Sequence, residues 1–268
     1  MALTLTYPEG GMLVTGGTGS VGGGIVRQLA RAGVPLVFTY RGNTEKAEKL
    51  ANEVRLAGGR AWAQAMDMED EGSIEAAVER VVAECGSLHG LAVGAGQMVS
   101  FNNLMDFTVE QAAQFMNVDA LGYFRLFRTV TPYLRKRGGG SITTCSTHAL
   151  RRVLAYDGIS PLSKGSVEAM VRQVAAEEGK YAIRCNAVGI GWIQEGEADF
   201  SKIPPKPEVE PTDEMGRMMV LMRQLVDQAR IPRAGTPEEA GNLFAFLASN
   251  EAAYLTGQII DIDGGLAL

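Results

Sequence analysis

The chain has 268 residues, of which 46% are hydrophobic, and its formal charge is −6. This length fits one large domain or two small ones with a sizeable core. No apolar run approaches the roughly 18 residues that cross a bilayer, and residues 1–11 lack the pattern of a signal peptide. Lys and Arg are scattered, which argues against nucleic acid as the main partner. Three cysteines without ligand-like spacing predict free thiols in a reducing cytoplasm, and no metal site.

Short apolar runs alternate with longer amphipathic segments along the chain. The runs predict buried strands at residues 12–15, 35–39, 61–65, 90–93, 141–145, 182–188 and 258–262. Helical periodicity begins at Val21 and is repeated at residues 44–57, 73–84, 108–137, 161–179 and 237–248. This alternation indicates βαβ units, so we expect one α/β domain over residues 1–268. Its core is predicted to be a doubly wound parallel sheet of about seven strands, with helices on both faces.

One segment interrupts the alternation. Residues 201–212 carry four prolines, and residues 213–230 show a Met-rich helical pattern. Loops longer than about 12 residues in compact domains are usually lids or binding loops, or are disordered. The position just beyond a strand end predicts a substrate lid over residues 195–232. The alternative is a surface insertion whose methionines only fill gaps in the core.

A glycine-rich turn, TGGTGSVG at residues 15–22, follows the first predicted strand and opens the first helix. Small residues there let backbone N–H groups approach a diphosphate at the helix N-terminus, where the dipole favours negative charge. The alternative is a tight turn with a structural role only. At the end of the second strand, YRGN at residues 40–43 contains Arg41 and no carboxylate. Arg41 therefore favours the 2′-phosphate of NADP(H), unless it lies on an ordinary exposed loop.

These motifs and several later ones resemble those of the classical short-chain dehydrogenase/reductases over essentially the whole chain. Gly16, Gly19 and Gly22 fit a TGxxGxxG form of the family's turn, and Asp67 matches its adenine-contacting Asp. RCNAV at residues 184–188 and TGQIIDIDGG at residues 256–265 resemble two further family motifs. The resemblance implies a Rossmann-type fold. It also implies cofactor contacts from Gly16, Thr18, Gly19, Ser20, Val21, Gly22, Arg41, Asp67, Met68, Gly94, Ala95, Lys164, Gly191 and Ile193.

The departures from the family pattern are concentrated at the predicted active site. The NNAG motif becomes VGAG at residues 93–96, and Ser160 stands at the tyrosine of YxxxK. Glu195 replaces the threonine that holds the nicotinamide carboxamide in the family. Asn117 matches the asparagine of the long central helix and is expected to organise a water and the helix backbone around Lys164. The resulting catalytic set is Lys164, Asn117, Thr147 (at the catalytic serine position), Ser160 and Tyr156.

A serine hydroxyl is a much weaker acid than a phenol, although it can donate a hydrogen bond to an oxyanion. Ser160 therefore predicts weak ketone reduction and favours enoyl reduction, in which oxyanion stabilisation is the main need. SPLSKGSVEAM at residues 160–170 resembles the dienoyl-CoA reductase version of this helix. Ser160 before a proline is also a typical helix N-cap. Tyr156 is either a substitute donor or an ordinary loop tyrosine, and His148 is either a proton shuttle or a loop residue.

Two functions follow from these observations. The first is an NADP(H)-dependent oxidoreductase that reduces an enoyl or carbonyl group of a small or CoA-linked substrate. The second is a catalytically degenerate subunit that serves as partner or scaffold in a hetero-oligomer, which Glu195 and the missing asparagines favour. The resemblance implies a homotetramer or dimer formed through residues 108–137 and 161–179, with a homologous partner subunit as a further option. We expect a small-molecule substrate, no nucleic-acid or membrane partner and a cytoplasmic location.

Overall fold

Seven parallel strands form the centre of the computed structural model, which describes residues 4–98, 100–196, 202–205 and 207–268. The strands lie in the order β3-β2-β1-β4-β5-β6-β7. This order confirms the predicted doubly wound sheet. Successive strands are added toward one edge from β1 to β3 and toward the other edge from β4 to β7, and ligands bind in such sheets at this change, between β1 and β4. The strands are β1 (Gly11–Thr15), β2 (Leu36–Tyr40), β3 (Ala61–Ala65), β4 (Leu88–Val93), β5 (Gly140–Thr147), β6 (Ile183–Ile190) and β7 (Ile259–Ile262).

Helices connect the strands and cover both faces of the sheet. Side chains cap several of them at the N-terminus; Thr108 and Thr236, for example, each form a reciprocal capping box. None of the described helices is both long enough and apolar enough to cross a membrane. The helices are α1 (Ser20–Arg31), α2 (Thr44–Leu56), α3 (Glu71–Cys85), α4 (Val109–Phe115), α5 (Gly122–Arg137), α6 (Ser160–Glu178), α7 (Glu214–Gln228) and α8 (Pro237–Ala248).

The core has two halves, one on each face of the sheet. On one face the apolar sides of α3, α5 and α6 pack on the strands, with Tyr123, Leu126 and Val167 fully buried. On the other face α1, α2 and α8 do the same, with Ile25 and Phe244 among the buried side chains. Burial on both faces explains why the strands are nearly continuous apolar runs rather than alternating ones.

The segment predicted as one helix over residues 108–137 is interrupted. Between α4 and α5 the backbone makes a π-helical turn, Met116–Leu121. An extra residue in a helical turn rotates the side chains that follow it, and such turns are frequent at functional sites. This turn decides which polar side chain reaches the sheet edge, as described below.

Helix α7 lies beyond β6, in the region of the predicted lid. Its Leu221 and Leu225 are buried against Leu154 and Leu266 in a small separate cluster. Arg217 on the same helix donates to the carbonyl oxygen of Phe101 at 2.9 Å. Residues 197–201 and 206 of the predicted lid lie outside the described residues, so the lid at residues 195–232 stays a prediction.

His89 on β4 makes the fold sensitive to acid. The side chain is buried, neither ring nitrogen has a partner in the described part of the chain, and burial together with Arg137 lowers its pKa from 6.5 to about 4. The unfolded chain therefore binds this proton first as the pH falls, so stability decreases from about pH 6.5 to about pH 4. We expect the loss to total about 3 kcal/mol.

Urea unfolding between pH 4 and pH 8 measures this loss, with His89→Leu as the test variant. We expect His89→Leu to flatten the decrease, whereas a variant of the other histidine, His148→Asn, keeps it. An unchanged pH slope in His89→Leu would show that His89 is not the residue responsible.

Candidate active site

The glycine-rich turn between β1 and α1 has a backbone that few other residues could adopt. Gly16 has φ +70°, and its carbonyl oxygen accepts from the N–H of Gly19 at 2.8 Å. A β-carbon on Gly22 would lie 2.1 Å from that same oxygen. Gly16 and Gly22 are therefore required by the close approach of the turn to the first helical turn.

The N-terminus of α1 is available to an anion. Gly19 is its N-cap and supplies no side-chain hydrogen bond, whereas α2, α3, α7 and α8 are capped by side chains. The hydroxyl of Ser20 at the first position of α1 is buried and has no partner among the described residues. Uncapped N–H groups, the helix dipole and this free hydroxyl together make a site for a phosphate group.

A cavity of about 300 Å³ opens beside this turn at the carboxyl ends of β1, β2, β3 and β4. Eight residues predicted to contact a cofactor lie on its wall: Gly16, Thr18, Gly19, Arg41, Asp67, Met68, Gly94 and Ala95. The sequence reading missed seven others on that wall: Thr39, Tyr40, Met66, Gly96, Gln97, Met98 and Val118. Three of these, Tyr40, Met66 and Gly96, are adjacent in sequence to a predicted wall residue, so their positions at strand ends could have indicated them.

Six other predicted cofactor residues do not form the wall of that cavity. Ser20, Val21 and Gly22 belong to the first turn of α1, directly behind the glycine-rich turn. Gly191 follows β6 and donates its N–H to the carbonyl oxygen of Ile262 at 3.0 Å. Ile193 lines a different cavity, together with Trp192 and Arg233. Lys164 is the sixth, and it lies just beyond the wall.

Lys164 is held at the edge of the cavity by a buried polar network. Its Nζ donates to the hydroxyl of Tyr123 at 2.9 Å and forms an ion pair with Asp119 Oδ2 at 3.1 Å. The Tyr123 hydroxyl in turn donates to the carbonyl oxygen of Ala95 at 2.7 Å. A β-carbon on Gly96, a wall residue, would lie 3.3 Å from Lys164 Nζ. The ammonium group therefore adjoins the cavity with a fixed position.

The charges of this network favour the ammonium form of Lys164. Burial alone would lower the pKa of Lys164, but Tyr123 and Asp119 outweigh it and raise that pKa above its ordinary value. Burial raises the pKa of the Tyr123 phenol, so this tyrosine stays neutral. An ammonium has three N–H donors, and two of them are used by Tyr123 and Asp119. One donor of Lys164 remains for a ligand.

The side chain of Asn117, which was expected to organise the surroundings of Lys164, has other partners. The Asn117 amide donates to Glu69, and its oxygen accepts from Arg125 at 3.1 Å. Asp119 occupies the expected place: it accepts from the backbone N–H of Gln97 at 2.8 Å and contacts Lys164. Residues two apart on a helix face nearly opposite directions, so the π-helical turn selects one of them. Asp157 and Glu168 are both nearer to Lys164 in sequence than Asp119 is, so sequence spacing gives no signal for this pair.

The other three predicted catalytic residues are Thr147, Ser160 and Tyr156, and none of them forms a hydrogen bond with Lys164 among the described contacts. Thr147, at the end of β5, accepts from the N–H of Ala149 at 3.2 Å and so caps a short helical turn. Ser160 is the first residue of α6, one helical turn before Lys164 and on the same face. The Tyr156 hydroxyl donates to Glu210 rather than to any part of the Lys164 network. Glu195 is exposed.

Ser160 does not act as the predicted helix cap. Ile159 is the N-cap of α6, and no side-chain hydrogen bond caps this helix. Because Ser160 already belongs to the first turn, its hydroxyl does not point back to the N–H groups that a cap satisfies. The hydroxyl is instead buried without a hydrogen-bond partner in the described part of the chain.

A second ion cluster lies one helical turn beyond Lys164 on α6, at Glu168. Glu168 accepts from the Ser146 hydroxyl at 2.6 Å and from Arg151 at 2.8 and 3.1 Å. Arg151 also approaches Asp261 at 3.4 Å. This cluster ties β5 and α6 to the last strand and fixes the backbone on which Ser160 and Lys164 are placed. The described residues contain no group of His, Cys, Asp or Glu that could hold a metal ion.

Comparison with known proteins identifies the family. A family model described as Enoyl-(Acyl carrier protein) reductase matches residues 16–267. The chain is 32% identical over 261 residues to oxidoreductase UcpA of Salmonella typhimurium, and the alignment covers 96% of this chain and 94% of that protein. The chain belongs to the short-chain dehydrogenase/reductase family.

Two further relatives agree with this assignment. The chain is 28% identical over 260 residues to 1-cyclohexenylcarbonyl-CoA reductase of Streptomyces collinus, and the alignment covers 96% of this chain and 86% of that protein. A short-chain dehydrogenase/reductase structure from Mycobacterium ulcerans matches with a TM-score of 0.84 and 25% identity, over 98% of this chain and 91% of that one. Short-chain dehydrogenase/reductases are oxidoreductases that use nicotinamide cofactors. The cavity, the uncapped α1 and the free Ser20 hydroxyl fit such a dinucleotide.

Proposed function

We propose that the chain is an NADP(H)-dependent reductase that reduces the enoyl group of a small or CoA-linked substrate, with a carbonyl group as the second choice. The observation that supports this most is the position of Lys164. Its ammonium adjoins Gly96 on the wall of the cavity, and Arg41 lines the same cavity. Cationic groups at two places beside one cavity suit a cofactor that carries an extra phosphate.

Each part of the proposed cofactor has a place in this account. The uncapped N-terminus of α1 and Ser20 hold the diphosphate, Arg41 holds the 2′-phosphate, and the remaining N–H of Lys164 binds the nicotinamide ribose. When bound, a reduced nicotinamide supplies a hydride. Lys164 places positive charge near the oxygen on which negative charge develops, which is the largest need of enoyl reduction.

The preference for an enoyl over a ketone follows from the missing phenol. Ser160 is a poor acid, and Tyr156 is bonded to Glu210. Tyr123 is the phenol nearest to Lys164, but it is buried and already donates to Ala95. A relative named 1-cyclohexenylcarbonyl-CoA reductase is consistent with an unsaturated thioester as substrate.

One observation favours the second candidate, a degenerate subunit that serves as partner or scaffold. Asp119 already neutralises the charge of Lys164, so less of that charge is available to a substrate.

We also propose that copies of the chain associate through α5 and α6, whose Phe124 and Leu162 are exposed apolar side chains. The three cysteines are free thiols, which supports our proposal of a reducing compartment such as the cytoplasm.

Fluorescence titration with NADPH and NADH tests the proposed cofactor. We expect tighter binding of NADPH than of NADH, because Arg41 adds a charged hydrogen bond to the 2′-phosphate. Arg41→Ala should weaken NADPH binding by about tenfold, a typical value for one such bond, and leave NADH binding unchanged. Arg31→Ala, at an exposed position at the end of α1, serves as the matched control. Equal affinity for both nucleotides in the unmodified chain would contradict the NADP(H) assignment.

A further inference from the structure

A second cavity lies at the amino ends of β1, β2, β3 and β4, at the opposite edge of the sheet from the candidate active site. Its volume is about 370 Å³, and its wall includes Gly10, Pro35, Arg60 and His89, which lie at the starts of these four strands. The volume is in the lower part of the range for small-molecule sites. The two cavities have no wall residue in common, so this one is a separate place in the fold.

A bulge in β4 gives His89 its position on this wall. Gly11 of β1 pairs with Leu88 and Met12 pairs with Gly90, so His89 is an extra residue without a counterpart on β1. Bulges of this kind redirect a side chain and are frequent next to functional sites. The residue that this bulge adds is the one that carries an imidazole to the cavity.

The imidazole of His89 has hydrogen-bonding groups that the protein does not use. The residue is only 1% exposed, and neither ring nitrogen has a hydrogen-bond partner among the described residues. The backbone of His89 itself acts on the ring, but without hydrogen-bond geometry. A neutral imidazole has one N–H donor and one acceptor nitrogen. Because an unpaired buried polar group costs free energy, a ligand that pairs with this ring recovers that cost on binding.

The segment before β1 forms a fixed side of the cavity. Thr6 and Tyr7 are wall residues. The Tyr7 hydroxyl donates to the carbonyl oxygen of Ala245 on α8 at 3.1 Å. The carbonyl oxygen of Thr6 accepts from the N–H of Asn250 just beyond α8 at 2.9 Å. These contacts hold the wall in place before any ligand enters, which lowers the entropy cost of binding.

The charged groups around the cavity favour an anion. Arg60 is an exposed wall residue, and Arg137 donates to the backbone carbonyl oxygen of Glu9, also on the wall, at 2.8 Å. Neither arginine forms an ion pair within the part of the chain that the structure describes. The nearby carboxylate of Glu251 is satisfied, since it accepts from the N–H and the hydroxyl of Thr6 at 2.8 Å each. Two unpaired arginines therefore face one carboxylate, that of Glu9.

We propose that this cavity binds a small organic anion whose carboxylate accepts from the His89 imidazole and from Arg60. The apolar part of the ligand contacts the apolar side of the wall, which Leu5, Tyr7 and Val34 provide. A metal ion does not fit the site, because the described residues contain no group of ligands for one and the arginines repel a cation. The inference does not depend on the proposed reductase function.

Nuclear magnetic resonance of the histidine rings tests this site directly. The chain has two histidines, so protein with labelled rings gives two signals, and His148→Asn assigns them. The probe is benzoate, which combines a carboxylate with an apolar ring. We expect benzoate to shift the His89 signal in a saturable manner, with a dissociation constant of at most about 1 mM, and to leave the His148 signal in place.

Variants and related probes identify the groups that bind. Arg60→Gln should weaken benzoate binding by about tenfold, a typical value for a charged hydrogen bond. Arg128→Gln removes the same charge from an exposed position outside this wall and should leave the affinity unchanged. Benzyl alcohol, which lacks the charge, and inorganic phosphate, which lacks the apolar part, should each bind more weakly than benzoate.

Urea unfolding gives a second measurement that does not use the His89 signal. Benzoate should raise the urea midpoint of the unmodified chain and have no effect on His89→Leu. A His89 signal that does not move with benzoate overturns the inference, and so does equal benzoate affinity in Arg60→Gln and the unmodified chain. Equal binding of benzyl alcohol would exclude an anion, and equal binding of phosphate would exclude the apolar contacts. NADPH titration of the same samples reports separately on the proposed function.

Discussion

Replacing Asp119 by alanine is expected to lower the free energy of unfolding by about 3 to 5 kcal/mol, the range for breaking a buried ion pair by removing one partner. The loss has three sources. The Lys164 ammonium remains in a buried site without its counter-charge, the N–H of Gln97 loses its acceptor, and the hydroxyl of Ser163 loses one of its two acceptors. Without Asp119, the pKa of Lys164 would also decrease from its raised value, because one of the groups that oppose the effect of burial is gone.

Urea unfolding of four proteins measures the Asp119 effect: the unmodified chain, Asp119→Ala, Lys164→Met and the double variant. We expect the double variant to be more stable than Asp119→Ala, since removing the unpaired charge removes most of the penalty. Asp119→Asn, which keeps an oxygen for Gln97, should fall between the unmodified chain and Asp119→Ala. If Asp119→Ala unfolds at the same urea concentration as the unmodified chain, the ion pair does not hold this site together.

Replacing Gly22 by alanine is expected to disable nucleotide binding. The added methyl group would lie 2.1 Å from the carbonyl oxygen of Gly16 and 2.6 Å from its carbonyl carbon. Both contacts are with backbone, so no side-chain rotation relieves them, and the turn must move away from α1. Overpacking of this kind costs about 1 to 3 kcal/mol. Because the displaced turn lines the cavity, we expect the dissociation constant for NADPH to rise by at least about tenfold.

Gly179→Ala is the matched control for Gly22→Ala. It makes the same chemical change near the end of α6, where a β-carbon would meet no atom within 4 Å. Calorimetric titration with NADPH should therefore show normal affinity in Gly179→Ala and weak or absent binding in Gly22→Ala. Equal affinity in the two variants would mean that the glycine-rich turn does not contact the nucleotide.

The fold was largely predictable because its determinants are local. Parallel strands buried on both faces are continuous apolar runs, and each of the seven predicted strands lies within a few residues of an observed one. The helix α8 has the predicted bounds, which its capping threonine and Pro237 mark in the sequence. The cavity wall was also partly predictable, since the carboxyl ends of parallel strands converge at one edge of the sheet.

The polar interior of the site was harder to predict, because it depends on side-chain direction. The periodicity of residues 108–137 gives no sign of the π-helical turn, and that turn brings Asp119 rather than Asn117 to Lys164. The Ser-Pro pair predicted the start of α6 to within one residue. Because the helix begins at Ser160 and not after it, the Ser160 hydroxyl is buried in the first turn and does not act as a cap. The left-handed conformation of Tyr156 likewise depends on contacts with residues distant in sequence, Asn102 and Glu210.

The measurement that tests the central claim most directly follows the hydride. The protein is incubated with a 2-enoyl-CoA and NADPH that carries deuterium at C4 of the nicotinamide, and the product is analysed by mass spectrometry. We predict one deuterium at the β-carbon of the saturated thioester for each NADPH oxidised, and none there with Lys164→Met. Firm NADPH binding without transfer of deuterium to an enoyl or carbonyl substrate would contradict the reductase account and favour the scaffold alternative.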